Sequence, residues 1–192
     1  MSEEPGQRRP GGRTARNREN VVRATLDLLL DEGYEHLTVA RVAAAAGVAE
    51  TTVYRRWPSK AHLAAEALAD LARLENPVPD TGTLAGDLRA FLTQIVELIG
   101  RADIQRLLRT AASLDPADDE LAQARRGFWE ARFAGAAGIV ERAVRRGELP
   151  SDADAYELIE DLAGVAYFRL LVTGRPLDER MIERSVARAL RT

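Results

Sequence analysis

Six of the seven residues from Glu50 to Arg56 carry polar or charged groups: one carboxylate (Glu50), two hydroxyls (Thr51, Thr52), a phenol (Tyr54) and two guanidiniums (Arg55, Arg56). Side chains of these types suit a nucleic acid. Hydroxyls, phenols and cations bind phosphate, while guanidiniums, carboxylates and short polar groups reach base edges in the major groove. Arg41, Glu50, Thr51 and Arg55 are the candidates for base edges. A solvated helix face has the same composition, so the elements that present these groups matter more than the groups themselves.

Those elements can be read between Leu37 and Lys60. Thr38 stands where an N-cap belongs, before a short alanine-rich helix that ends near Ala46. Gly47 breaks the pattern, and a second short helix follows from about Glu50 to Trp57. Small alanines let two helices approach closely, and Gly47 gives the turn its backbone freedom. Val42, Val48 and Val53 are positioned to fill the space between them. The second helix is too short and too polar to serve mainly as packing, and it fits a recognition helix that enters the major groove by its N-terminal end. Pro58-Ser59 ends it, with Ser59 expected to cap the next helix.

Other chemistry is poorly provided for. The chain has no cysteine and only two histidines, His36 and His62. It contains no glycine-rich phosphate loop and no metal-ligand spacing, so neither catalysis, a cofactor nor a metal is expected. Apolar residues make up 46% and charged residues 30%, which places the chain among ordinary soluble globular proteins. No apolar run approaches the length of a membrane span, and the N-terminal residues offer no signal peptide, so a cytoplasmic protein without a membrane partner is expected. The net charge of −3 argues against nucleic acid until its distribution is considered. Residues 1–62 hold ten Arg/Lys against eight Asp/Glu, whereas the remainder holds seventeen against twenty-two. Local patches govern contact with phosphate.

Periodicity predicts an all-α protein. Residues 1–14, rich in Pro, Gly and Arg, read as a flexible basic arm, and residues 15–62 as the helix-turn-helix domain, opening with a helix over 15–32. Gly33 is placed to cap that helix at its C-terminus. Residues 63–192 form a larger helical domain. A helix beginning after Ser59 carries Leu63, Ala67 and Leu71, and Asn76-Pro77-Val78-Pro79 is a linker. Further helices are predicted over about 83–100, 102–113, 117–146, 152–173 and 178–191, giving about nine in total.

The run Gly47-Val48, Thr52-Val53-Tyr54, Trp57 and Ser59-Lys60 closely resembles the TetR family of bacterial transcriptional regulators, and Gly33-Tyr34 and Thr38-Val39 match upstream. Ala49 departs from it, standing where the family often has a serine that caps the recognition helix; loss of such a cap costs about 1 kcal/mol. The resemblance implies that Thr38, Thr52, Tyr54 and Lys60 contact phosphate on a double-stranded DNA operator. It also implies a C-terminal domain that forms a homodimer and encloses the pocket of a small-molecule effector. For the dimer, Ile159, Leu162, Ala163, Ala166 and Leu170, then Ile182, Val186 and Ala189, offer an apolar face on the last two helices. For the pocket, Phe91, Ile95, Phe128, Trp129, Phe133 and Tyr167 are the candidates; Arg106 and Arg109 could neutralise an acidic effector but read as surface charges. A repressor released from an inverted-repeat operator by its effector is the expected function; the alternative is a helix-turn-helix activator, or a regulator without a small-molecule ligand.

Overall fold

The computed structural model describes residues 11–113 and 118–191, with side chains from Thr14 onward. Among the described residues there are nine α-helices and no strand. Helix α1 spans Gly11–Glu32 and buries Val21, Val22, Thr25 and Leu29 along one face. The buried Thr25 hydroxyl is satisfied by donating to the Val21 carbonyl at 2.7 Å. Gly11–Thr14, expected within a flexible arm, belong to this helix. Extending an existing helix needs no new nucleus, so two glycines weaken but do not stop it. The rest of the expected arm, residues 1–10, lies outside the described residues.

A 3-10 turn over Tyr34–His36 leads into α2 (Val39–Ala46). Gly47 then adopts the left-handed conformation at φ 67°, and the Val48 amide closes the turn onto the Ala43 carbonyl at 3.0 Å. Helix α3 (Glu50–Tyr54) is shorter than the predicted Glu50–Trp57. Arg56 and Trp57 both donate to the Val53 carbonyl, at 3.0 and 2.9 Å, which closes the segment as a turn ahead of Pro58, where helical conformation is disfavoured. Val42 and Val53 are fully buried and Val48 half-buried, as the helix-turn-helix pattern requires.

Helix α4 (Lys60–Glu75) joins the two halves of the molecule. Its Leu63, Ala64 and Ala67 complete the N-terminal core with Val21, Leu29, Val42, Val53 and Trp57. One residue from beyond the linker, Leu107 of α6 (Ala102–Ser113), enters that same core. The second core is built from α5 (Leu84–Gly100), α7 (Asp119–Arg146), α8 (Ala155–Phe168) and α9 (Glu179–Ala189). Helix α8 continues as a π-helical turn over Arg169–Thr173, closed by a Gly174 amide bonded to the Arg169 carbonyl at 2.8 Å.

The dimer face expected from the sequence requires correction. Ile159, Leu162, Ala163, Ala166, Leu170, Ile182, Val186 and Ala189 are all within the chain's own core, none more than 9% exposed. Helix α8 is apolar on two sides, and its deeper stripe packs against α5 and α9 of the same chain. The stripe left outside carries Gly164, Phe168, Leu171 and Val172, with Phe168 56% and Val172 68% exposed.

Candidate nucleic-acid interface and ligand cavity

Thr38 caps α2 as expected: its hydroxyl oxygen accepts from the Arg41 amide at 3.3 Å, which leaves the hydroxyl proton for an outside acceptor. Ala49 occupies the N-cap of α3 with no side-chain bond to the first turn. Glu50, Thr51, Tyr54 and Arg55 are exposed and Thr52 is half-buried, so five of the expected contact residues form one polar surface around α3. Tyr54 is 53% exposed, so its ring stands outside the core of the small domain.

Lys60, the first residue of α4, holds its ammonium 4.5 Å from the centre of the Tyr34 ring. The ring orients the cation without neutralising it. Partial burial pushes the Tyr34 phenol above its usual range, and the charges of Asp118 and Glu120 act in the same direction.

Arg41 is placed differently from the expectation. Its guanidinium forks onto the Glu32 carboxylate at 2.5 and 2.7 Å and donates to the His36 carbonyl at 3.0 Å. The hydrogen bond from Arg41 is the main cause holding the Glu32 carboxyl below its usual range. A bidentate pair of this kind clamps α2 to the end of α1 and commits three of the five guanidinium donors within the chain.

Ser59 also differs: its hydroxyl pairs with His62 Nδ1 at 2.9 Å and makes no cap bond. The C-terminal side of the recognition segment is fixed instead by Trp57, 3% exposed, whose indole donates to Glu66 at 2.5 Å. Arg18 of α1 donates to the other oxygen of Glu66 at 2.7 Å and to Asp70 at 3.2 Å. One carboxylate of α4 thus ties together α1 and the chain leaving α3.

The larger domain contains an aromatic cluster built from α7 and α8. Trp129 stands edge-on to Phe128 and Tyr167, with ring centres 5.1 and 5.3 Å apart. All six residues expected to line a pocket meet here. Phe91, Trp129, Phe133 and Tyr167 border a cavity of about 310 Å³, and Ile95, Phe128, Trp129 and Tyr167 border an adjoining slot of about 80 Å³. A larger concavity of about 600 Å³ between α4 and α7 is an open groove with Glu66, Arg126 and Glu130 along it.

The cation in this cavity is Arg132, which sequence reading missed. Arg106 and Arg109 are exposed, as their reading as surface charges requires, and bonded to the Leu30 carbonyl and to Gln105. A signal for Arg132 existed: it falls in the stripe Trp129, Ala136, Ile139 and Ala143, where helical spacing calls for an apolar residue. Asn76, also missed, is 2% exposed in the wall of the slot. In sequence it reads only as a linker residue before Pro77.

Two family models match the chain: "Bacterial regulatory proteins, tetR family" over residues 21–67, and "Tetracyclin repressor-like, C-terminal domain" over residues 78–189. The HTH-type transcriptional regulator AqdR of Rhodococcus erythropolis is 32% identical over 176 residues, covering 91% of this chain and 84% of that protein. A DNA-binding transcriptional repressor TetR from Mycobacteroides abscessus is 33% identical over 170 residues, covering 86% and 87% respectively. The crystal structure of the TetR family transcription regulator SCO0332 superposes with a TM-score of 0.81 at 34% identity, covering 91% of this chain and 97% of that one. A polar recognition segment on a helix-turn-helix, joined through α4 to a helical domain with an aromatic cavity, agrees with these matches, and the chain belongs to the TetR family of helix-turn-helix transcriptional regulators.

Proposed function

We propose that the protein is a ligand-responsive repressor that binds an inverted-repeat operator as a homodimer and leaves it when a small molecule fills the aromatic cavity. The observation that carries this reading is the double duty of α4. Leu63, Ala64 and Ala67 belong to the core of the DNA-binding domain, whereas Leu68, Leu71, Ala72 and Asn76 at its other end line the slot. A ligand that displaces the far end of α4 moves Lys60 and the Glu66 node with it. Leu107 of α6 adds a second link, since it lines the slot and enters the N-terminal core.

Phosphate contacts fall to Thr38, Thr52, Tyr54 and Lys60, and base edges to Glu50, Thr51 and Arg55, with Arg41 holding α2 in place. The exposed face of Gly164, Phe168, Leu171 and Val172 forms the dimer contact, and an isologous pairing about a two-fold axis places two recognition helices on one side of the duplex. Such a dimer reads half-sites about 34–36 Å apart or a small multiple of this spacing. The protein works in the cytoplasm, where its operator is; among the described residues no helix is long and apolar enough to cross a membrane.

The test is selection of bound sites from random duplex DNA. The selected sequence should have dyad symmetry, and a reporter placed behind it should be silenced when the protein is present. A site without symmetry would refute the two-fold dimer, and a reporter switched on would refute repression.

A further inference from the structure

Arg132 lies at the junction of three concavities. It lines the 310 Å³ cavity, the 80 Å³ slot, and a third space of about 390 Å³ that opens towards Pro77 and Val78. Among the described residues no carboxylate approaches it within ion-pair distance. Asp70, which lines the third space, is engaged by Arg18 at 3.2 Å and Arg73 at 3.8 Å. Glu160 borders the first cavity without pairing with it. The guanidinium lies over the Phe91 ring, its carbon 5.9 Å from the ring centre. Burial holds the Arg132 guanidinium below the usual arginine range, with the Tyr167 phenol acting the other way. A half-buried cation in this position carries a desolvation cost that no carboxylate among the described residues offsets.

A second group stands unpaired beside it. Asn76 shares both the slot and the third space with Arg132, and neither its side-chain nitrogen nor its oxygen has a hydrogen-bond partner. A buried amide with both atoms unpaired is rare in a folded protein and calls for an explanation. The remaining walls are apolar or aromatic: Trp129, Phe128, Ile95, Leu71 and Ile99 around the slot.

We propose that this cavity holds an amphipathic organic monoanion of the carboxylate class, its acid group on Arg132, a neighbouring polar atom on Asn76 and its apolar body between Trp129 and the aliphatic wall. The inference rests on the sensor reading above and narrows it to one class of effector. The two unpaired groups supply what such a ligand lacks once it leaves water, a counter-ion and a donor. A neutral apolar ligand of the same shape would leave both unsatisfied.

The test uses the full chain and two acid–amide pairs of matched shape, octanoate with octanamide and 2-naphthoate with 2-naphthamide, measured by calorimetry. In at least one pair the acid should bind tenfold or more tightly than its amide. Arg132→Gln should abolish that preference, and Arg132→Lys should keep part of it. Asn76→Ala should weaken binding of the acid severalfold. Without ligand, Arg132→Gln should melt at or above the parent's temperature, since it removes an uncompensated cation. The proposal is overturned if neither acid outbinds its amide, if the preference survives Arg132→Gln, or if that variant fails to fold or melts well below the parent. The sensor reading fails separately: an acid that binds but leaves the operator complex intact refutes release, and an amide that binds and releases the operator refutes only the anion.

Discussion

Replacing Lys60 by alanine tests the electrostatics of the interface most directly. The ammonium sits over the Tyr34 ring 4.5 Å from its centre with no carboxylate partner among the described residues, so its full charge is available to phosphate. Each phosphate neutralised contributes about 0.9 to the slope of log affinity against log salt, so a dimer losing two lysines should show a slope shallower by about 1.8. Between 50 and 200 mM salt, parental affinity should therefore fall about tenfold further than the variant's. Arg41 provides the contrast. Its charge is already met by Glu32, so Arg41→Ala should move the slope clearly less. Tyr34→Leu removes the platform but keeps the cation, and should leave the slope in place while lowering affinity slightly. The assay is fluorescence anisotropy on the selected operator and on unrelated duplex at four or more salt concentrations, with melting checked for each variant. An unchanged slope in Lys60→Ala, or an equal change in Arg41→Ala, would refute the assignment.

Phe168→Arg should separate the dimer into folded monomers in sedimentation velocity, because that ring is 56% exposed on the outer stripe of α8. Ala166→Arg should instead lose the fold, since a guanidinium placed at a position with 0% exposure costs more than about 4 kcal/mol; a folded monomer from this variant would mean that the two stripes have been exchanged. Gly47→Ala meets no atom within 4 Å and is penalised only by the left-handed backbone, so urea unfolding should show a loss of about 1–2 kcal/mol. Glu148 accepts from the Leu84 amide at 2.6 Å, and its carboxyl is held below the usual glutamate value of 4.5 chiefly by Arg146. A lowered folded value means stability that is present above that pH and lost as pH falls through the lower one. Glu148→Gln should therefore be the less stable protein at neutral pH and converge with the parent in acid, as followed by melting across pH.

The breaks between elements were legible because proline and glycine mark them: Gly47, Pro58, Asn76-Pro77 and Gly147 all fall at or within three residues of observed helix ends. The polar surface of α3 was legible because Val53 alone in that segment had to face inward. Partner choice was not legible. Spacing shows that α8 has apolar residues, but whether Leu162 or Phe168 meets its own chain depends on the placement of α5 and α9, and both stripes satisfy helical periodicity. Arg41 illustrates the same limit on the DNA side, since Glu32 lies nine residues earlier and nothing local announces the pair. Arg132 stands in the apolar stripe of Trp129 and Ala136, but spacing alone does not say which helices surround it or that no carboxylate among the described residues meets it.

The recognition segment is tied by side-chain hydrogen bonds at its exit and only by the backbone turn and Val48 at its entry. Trp57 and Glu66 anchor its exit, while its entry at Ala49 has no side-chain cap, so the segment resembles a beam supported more stiffly at one end than at the other. Stiffness in such a beam grows towards the firmer support. On the proposed base contacts, Arg55, nearest the anchor, should discriminate more sharply between bases than Glu50 and Thr51 at the uncapped end. An operator read this way should have stricter positions and more tolerant ones within each half-site. A single regulator could then serve several promoters whose sites differ only where the uncapped end lands.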